Sequence, residues 1–299
     1  MNIFNSIDKL CKFFKLNHIF KALGVNPSSF YYYKKHSSLS FKKKANFLQA
    51  VFHEYSLFNG IYGSGKIALA LNKKGISCSK AKVSRAMREL EIMAISAKKF
   101  PKKKSKISEA EKAQIVNLVK SLDIVKCNQV WTTDITFIKT HSGMFYLVSF
   151  LDLFSRRIVA WDLCKDLKTN SILNVLDKAR IVRRPDSGLI IHSDKGSQFR
   201  SLQYKLYLAK HHMLRSTTSI GHSCDENAFQ ESFHALLKRE CVYHFFLNNF
   251  DDAYRVIFNY IEGFYNPIRS HSALGALSPI DFENSLFSSK SPSISSLNS

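Results

Sequence analysis

No stretch of the 299 residues approaches the roughly 18 consecutive apolar residues that a membrane-spanning helix needs. The opening MNIFNSIDKLCKFFK likewise has no long apolar run ending in small residues. A membrane partner is therefore not expected, and cytoplasm is the expected location. The six cysteines (Cys11, Cys78, Cys127, Cys164, Cys224 and Cys241) include no C-x-x-C pair, which argues against a structural zinc or dithiol motif. They are expected to be reduced and to serve mostly as packing residues. Carboxylates are scarce in one half only. Residues 1–120 hold 24 Lys and Arg against 6 Asp and Glu, net +18, whereas residues 121–299 hold 20 against 17, net +3. So lopsided a charge on a folded segment points to a polyanion partner, because each cation that neutralises a phosphate releases condensed counterions.

What is present is enough for about two domains, since 45% of the residues are hydrophobic. In the front half Ile19, Phe20 and Leu23 form an apolar-periodic stretch stopped by Gly24. Asn26-Pro27 then reads as an N-cap followed by proline at the first helical position, starting a short helix over Ser28 to Lys35. A second helical unit follows. Phe47, Leu48, Val51, Phe52 and Tyr55 form one stripe, Lys66 to Lys74 a helix ending at Gly75, and Ser79 caps a helix running to about Leu90. On that last helix Val83, Met87 and Leu90 face inward, leaving Lys80, Lys82, Arg85 and Arg88 outward as DNA-binding candidates. This is the layout of a recognition helix, although a solvated basic face would look the same. KKFPKKKSK (98–106) reads as a linker, and Ser108 to Leu122 as a short helix.

From Gln129 the period changes. Val130–Lys139, Met144–Leu153 and Arg157–Leu163 read as three antiparallel strands, followed by a helix over Thr169–Ile181 and a buried strand at Leu189–His192. A helix near Leu202–His211, a strand near Leu214–Thr218 and a helix over Asn227–Cys241 complete a mixed α/β sheet. Three carboxylates sit where chemistry could use them. Asp134 is mid-strand, sharing a face with Thr132 and Thr136, where an ionised group needs a partner such as a cation. Asp194 follows a strand's carboxyl end, where α/β sheets tend to place ligands. Glu231 shares a helix face with His234 and Lys238, beside an apolar stripe of Phe229, Phe233, Leu236 and Leu237. Each has a plainer reading, as an edge-strand Asp, a turn Asp and a solvated helix residue. Together they form a hard-oxygen set suited to two Mg²⁺ or Mn²⁺ ions acting on a phosphodiester.

QVWTTDITFIKT, FYLVSFLDLFSRRIVAW, IIHSDKGSQF, ESFHALLKRE and YNPIRSHSALGALSPIDFE, in that order, resemble the second-frame (OrfB) DDE transposases of the IS-three family of bacterial insertion sequences. YGSGKIALALNKKGISCSKAKVSRAMREL resembles that family's helix-turn-helix segment. The likeness runs from about residue 20 to about residue 285. It implies a ribonuclease-H-like (retroviral integrase) core, a mixed five-stranded sheet with flanking helices preceded by an all-α helix-turn-helix region. The expected boundaries are a DNA-binding region over 1–97, a basic linker and short helix over 98–122, the catalytic core with C-terminal helices over 123–285 and a disordered tail over 286–299. It further implies that Asp134, Asp194 and Glu231 are catalytic metal ligands holding two Mg²⁺ or Mn²⁺ ions, and that Lys238 touches DNA near the cleaved end. The implied reaction is cleavage at the element's terminal inverted repeats followed by strand transfer into target DNA, by a homo-oligomer in a nucleoid-associated synaptic complex. An upstream first-frame (OrfA) protein or frameshift fusion is an expected partner, since nothing in this chain resembles that part. A DNA-binding repressor, or a nuclease without strand transfer, could share the fold. One departure stands out. Positions 195–230 number 36, one more than the family usually places, and the extra residue falls within Gly221 to Cys224 on the best match. An insertion inside the helix would instead turn Glu231 by about 100° and leave Glu226 to serve the site.

Overall fold

Nothing between Ser28 and Leu57 is glycine or proline, so no residue there stops a helix once it has started. The structure, a computed structural model, describes residues 3–95, 117–120, 122–218 and 227–288. In it the two expected front helices are a single helix, α3 (Pro27–Leu57), preceded by α1 (Ile3–Leu10) and α2 (Leu16–Leu23). The signals at its start hold. Gly24 closes α2 in the left-handed conformation, and the Asn26 side chain accepts from Ser28 N–H ahead of Pro27. The stripe near its end is shifted from the expected one: Phe52 is exposed and Glu54 is buried, bonded to Lys74. Helices α4 (Ser64–Lys73) and α5 (Lys80–Glu89) pack against α3 through Ile67, Leu71, Val83 and Met87. Ser79 caps α5 as expected, accepting from Lys82 N–H at 3.2 Å.

The chain divides into two compact units, Met1–Lys99 and Phe100–Ser299. The second is built on five strands: β1 (Val130–Lys139), β2 (Met144–Asp152), β3 (Ile158–Cys164), β4 (Ile190–Ser193) and β5 (Leu214–Thr217), in the order β3-β2-β1-β4-β5. The first three form an antiparallel meander, while β4 runs parallel to β1 and β5 parallel to β4. The mixed five-stranded sheet expected from the sequence is thus present, with strand limits within a residue or two of those read. Strand alternation then sorts its two faces. Trp131, Val148, Phe150 and Ile191 pack under α6 (Thr169–Arg183), α7 (Ser197–Arg200) and α8 (Leu202–Lys210). The opposite face, carrying Thr132, Asp134 and Ser149, is covered by α9 (Ala228–Glu240). The chain continues through α10 (Phe250–Tyr260), a π-helical turn (Ile261–Tyr265) and α11 (Pro279–Ser288).

Two further expectations change. The described end of the helix expected to reach Leu122 is bends and a turn. There Asn117 Oδ1 accepts from Val119 N–H, and Leu118 N–H donates to Ser216 Oγ on β5, so amide protons that a helix would use are taken elsewhere. Of the described cysteines only Cys241 is buried, so a packing role fits it better than Cys11, Cys78, Cys127 or Cys164, all unpaired and at least partly accessible. The basic run 98–106, Gly221 to Cys224, Glu226 and the tail from residue 289 lie outside the described residues. Among the described residues, no helix is long and apolar enough to cross a membrane.

Candidate active site

The edge-strand reading of Asp134 fails at once, because β1 is the central strand of the sheet. Its parallel register with β4 pairs Thr132 with His192. Asp134, midway along β1, and Asp194, one residue past the end of β4, each lie two residues beyond that pair, near enough for the charge of Asp134 to act on the Asp194 carboxyl. Asp134 is partly accessible. Its Oδ1 accepts from Ile135 N–H at 2.8 Å, and its Oδ2 lies 3.4 Å from His234 Nδ1. Asp194 Oδ1 accepts from Gly196 N–H at 2.9 Å. Burial raises the Asp194 pKa above the usual carboxylate range, and the negative charge of Asp134 pushes the same way, against that hydrogen bond. A side chain at position 196 would meet Asp194 Oδ1 at 3.0 Å, which explains the glycine after Asp194-Lys195.

Helix α9 is anchored over these strands by polar groups. Gln230 Nε2 donates to Ser149 O at 2.7 Å and to Ser149 Oγ at 3.0 Å, Asn227 Nδ2 donates to Thr133 O at 3.3 Å, and His234 Nε2 lies 3.3 Å from Ser149 Oγ. The buried face is therefore Gln230, Phe233, His234, Leu237 and Glu240. Phe229, read as part of the apolar stripe, is instead exposed, with the Arg156 guanidinium 3.5 Å from its ring centroid. Gln230 displaces it because an amide can satisfy strand groups that a phenyl ring cannot. Lys238 is half-buried. Burial lowers its pKa and the charge of Asp134 opposes that shift. Glu231 lies one turn before His234, on the exposed side of α9.

The structure thus brings Asp134, Asp194, His234 and Lys238 together. It does not gather Asp134, Asp194 and Glu231 into a closed trio: among the described residues, the trio of ligand atoms lying within 4.8 Å of one another is Cys127, Asp152 and Glu283. That second cluster does not suit a cation. Glu283 is held by Arg183 and Arg157 at 2.6–2.7 Å, Asp152 accepts from three backbone N–H groups, and burial and both carboxylates push the Cys127 thiol up to about 11. The open Asp134 and Asp194 pair is the better match to a hard divalent cation, which would offset the repulsion between them. In the first unit Lys80, Lys82, Arg85 and Arg88 are all exposed on α5, with Lys82 Nζ 4.3 Å from the Phe47 ring centroid. Sequence reasoning does not reach the anchors Gln230, Asn227 and Ser149, although polar residues at 227, 230 and 234, spaced three and four apart, are the available signal.

Two models of the integrase core domain match residues 125–223 and 231–287, and one of an HTH-like domain matches residues 43–100. The transposase for insertion sequence element IS904 of Lactococcus lactis is 32% identical over 237 residues, covering 79% of this chain and 91% of that protein. The chain belongs to the insertion-sequence transposases. The putative transposase InsK for insertion sequence element IS150 of Escherichia coli is 28% identical over 94% of this transposase and 98% of its own length. Among solved structures, the HTLV-2 integrase catalytic core domain in complex with magnesium aligns with 52% of this chain and 96% of its own, at 17% identity and a TM-score of 0.40. Asp134 and Asp194 fall inside the first integrase-core match of the transposase and Glu231 opens the second, while Lys80, Lys82, Arg85 and Arg88 fall inside the HTH-like match.

Proposed function

We propose that this transposase cuts DNA at the terminal inverted repeats of its own element and joins the freed ends to target DNA, with Asp134, Asp194 and Glu231 as the metal-binding carboxylates. The observation that carries the reading is the placement of Asp134 in the central strand and Asp194 just past the neighbouring parallel strand, each two residues beyond the Thr132–His192 pair, beneath a helix that also presents His234 and Lys238. Two Mg²⁺ or Mn²⁺ ions held there would supply Lewis-acid activation of the attacking oxygen and stabilise the leaving one. The residues do the rest. Asp134 and Asp194 fix the acceptor oxygens, His234 and Ile135 N–H orient the Asp134 carboxylate, and Lys238 offers a positive charge to a phosphate. Water adds across a P–O3′ bond to leave a 3′-hydroxyl and a 5′-phosphate. That hydroxyl then attacks a phosphodiester of the target strand and releases a new 3′-hydroxyl, so no oxidant or cofactor turnover is needed.

The extra residue is placed ahead of α9 and Glu231 beside the site in this reading, supported by Gln230 and His234, which flank Glu231 on the helix and bond to Ser149, His234 also lying 3.4 Å from Asp134. The boundaries proposed are a DNA-binding region over 1–97, a linker to 122, and the core with its C-terminal helices to 285. Assembly as a homo-oligomer on paired ends, with a first-frame protein or fusion, belongs to the same proposal. The test uses the full chain, a duplex carrying the element's repeat and a supercoiled target. Mg²⁺-dependent nicks and joined products are expected, both lost on chelation. Nicks without joining would leave only a nuclease, and tight binding without nicks only a repressor.

Binding by α5 makes a separate prediction. Replacing Arg85 or Arg88 with Ala should lower the slope of log affinity against log salt by about 0.9 for each phosphate no longer neutralised. Unchanged slopes in both variants would remove α5 from the interface.

A further inference from the structure

Beyond Asp134, β1 runs past the end of its pairing with β4, and a cleft of about 890 Å³ opens there. Its lining includes Phe137 and Lys139 from β1, His141 from the β1–β2 turn, Lys238 from α9, and Tyr243 and Phe246 from the segment after α9. The volume lies within the range of sites built to hold a small ligand. The chemistry is unusual for a surface. Phe246 is 81% exposed, Phe137 and Tyr243 are each about half exposed, and among the described residues no carboxylate lines the cleft. Exposed aromatics gathered in one place, unlike single scattered ones, call for an occupant. The framework is held in place: His141 N–H donates to Leu247 O at 2.9 Å and Ser142 N–H to Asn248 O at 2.8 Å, tying the hairpin tip to the aromatic segment.

The cations select among occupants. Lys238 lines the cleft from α9, the helix whose His234 lies 3.4 Å from Asp134, and Phe137 and Lys139 line it from the strand that carries Asp134, so the cleft lies next to the proposed metal-binding carboxylates. An occupant with aromatic faces and negative charge that also reaches those carboxylates is a DNA strand with unstacked bases. A paired base cannot offer its face, because its neighbours in the duplex cover it. A base must leave the stack to lie on a phenyl or phenol ring, where every base binds through its π-face.

We infer that the cleft receives unpaired nucleobases of the DNA end being cut, next to the phosphodiester held at Asp134 and Asp194. This deepens the proposed transposase reaction and rests on it. The transposase therefore works on an opened end, with Phe246 and Tyr243 as stacking platforms and Lys238 and Lys139 on the backbone.

The experiment measures binding of the full chain, without divalent metal, to three labelled probes: a short duplex with a frayed thymidine end, the same duplex with abasic sites in the frayed strand, and a blunt duplex. The frayed end should bind about 5- to 100-fold more tightly than its abasic counterpart, as expected for one or two stacked bases. Phe246→Ala and Tyr243→Ala should each erase most of that margin and leave the blunt duplex unaffected. Phe246→Ala should also melt at the wild-type temperature, because the ring is exposed. Equal binding of frayed and abasic ends overturns the inference. So does a Phe246→Ala variant that keeps the margin but sediments as a smaller species, which would make the cleft a protein interface. Asp134→Asn separates the two readings. It should keep the base-dependent margin while losing cleavage. A margin kept together with full cleavage sinks the catalytic assignment alone, and a margin absent from the wild type sinks the cleft alone.

Discussion

Asp134→Asn and Asp194→Asn should each reduce Mg²⁺-dependent cleavage of terminal-repeat DNA by about a thousandfold or more, with binding of the same DNA retained. Charge stabilisation by a bound cation is worth several kcal/mol, at about 1.4 kcal/mol per tenfold in rate. Asparagine keeps the shape of the side chain but removes the charge that a hard cation needs. The fold should not suffer. An asparagine oxygen at 134 can still accept from Ile135 N–H, and at 194 from Gly196 N–H, the bonds that hold these side chains now. At position 194 the change also removes a charge that burial and Asp134 both disfavour, so the variant should melt no lower than the wild type near neutral pH. Quantifying nicked product across a metal titration checks the rate, and thermal melting checks the fold. Cleavage within a few-fold of wild type in either variant would remove that residue from the chemistry. The same assay with Glu231→Gln and Glu226→Gln decides which glutamate completes the set. Loss in the first variant alone is expected, and loss in the second alone would mean that the added residue turns the helix.

How much of this was legible in the sequence depends on the range of the interaction. The places of Asp134 within a strand and of Asp194 just after one could be read because alternation along a strand and position after a strand are local properties, and the parallel register puts each two residues beyond the Thr132–His192 pair. Caps were legible for the same reason: Asn26 and Ser79 each bond to an amide two or three residues away. The joining of the front helices into α3 does not show in their two apolar stripes, which suggest separate elements; the absence of any helix breaker between them is the better signal. Face assignment on α9 failed at Phe229, which the apolar stripe placed inward and which is exposed while its neighbour Gln230 is buried. Gln230 is fully buried because its amide serves Ser149, 81 residues away, and no periodicity reports that. The buried ion pairs lay beyond reach for the same reason. Glu240 meets Arg269 at a separation of 29 residues and Arg183 meets Glu283 at 100, so motif residues such as Arg269 were readable as family resemblance but not as partners.

Those pairs carry the second large effect, a loss of stability on replacing Arg269 with Met. Arg269 donates to Glu240 through Nε at 2.8 Å and Nη2 at 2.7 Å, and Tyr260 OH donates to the same carboxylate at 2.8 Å. Both charged side chains are more than nine-tenths buried. Burial alone would lower the guanidinium pKa, yet the bonds and charge of Glu240 outweigh it and hold the pKa above its ordinary value. Removing one partner leaves a carboxylate in a poorly solvated place without the guanidinium that balances its charge, a change that costs on the order of 3–5 kcal/mol. For a unit of this size that corresponds to a fall in melting temperature of roughly 10 °C. Glu240 is the last residue of α9, the helix that holds His234 beside Asp134, so on the proposed mechanism cleavage should fall further than the unfolded fraction explains. The double variant Arg269→Met with Glu240→Leu supplies the control. With both charges gone no ion is stranded, and well-packed apolar replacements of a buried pair are often neutral, so most of the lost stability should return. A single variant that melts within a degree or two of the wild type would mean that water reaches the pair. A double variant that melts as low as the single one would show that the bidentate bond itself, not the avoidance of a stranded charge, fixes the end of α9.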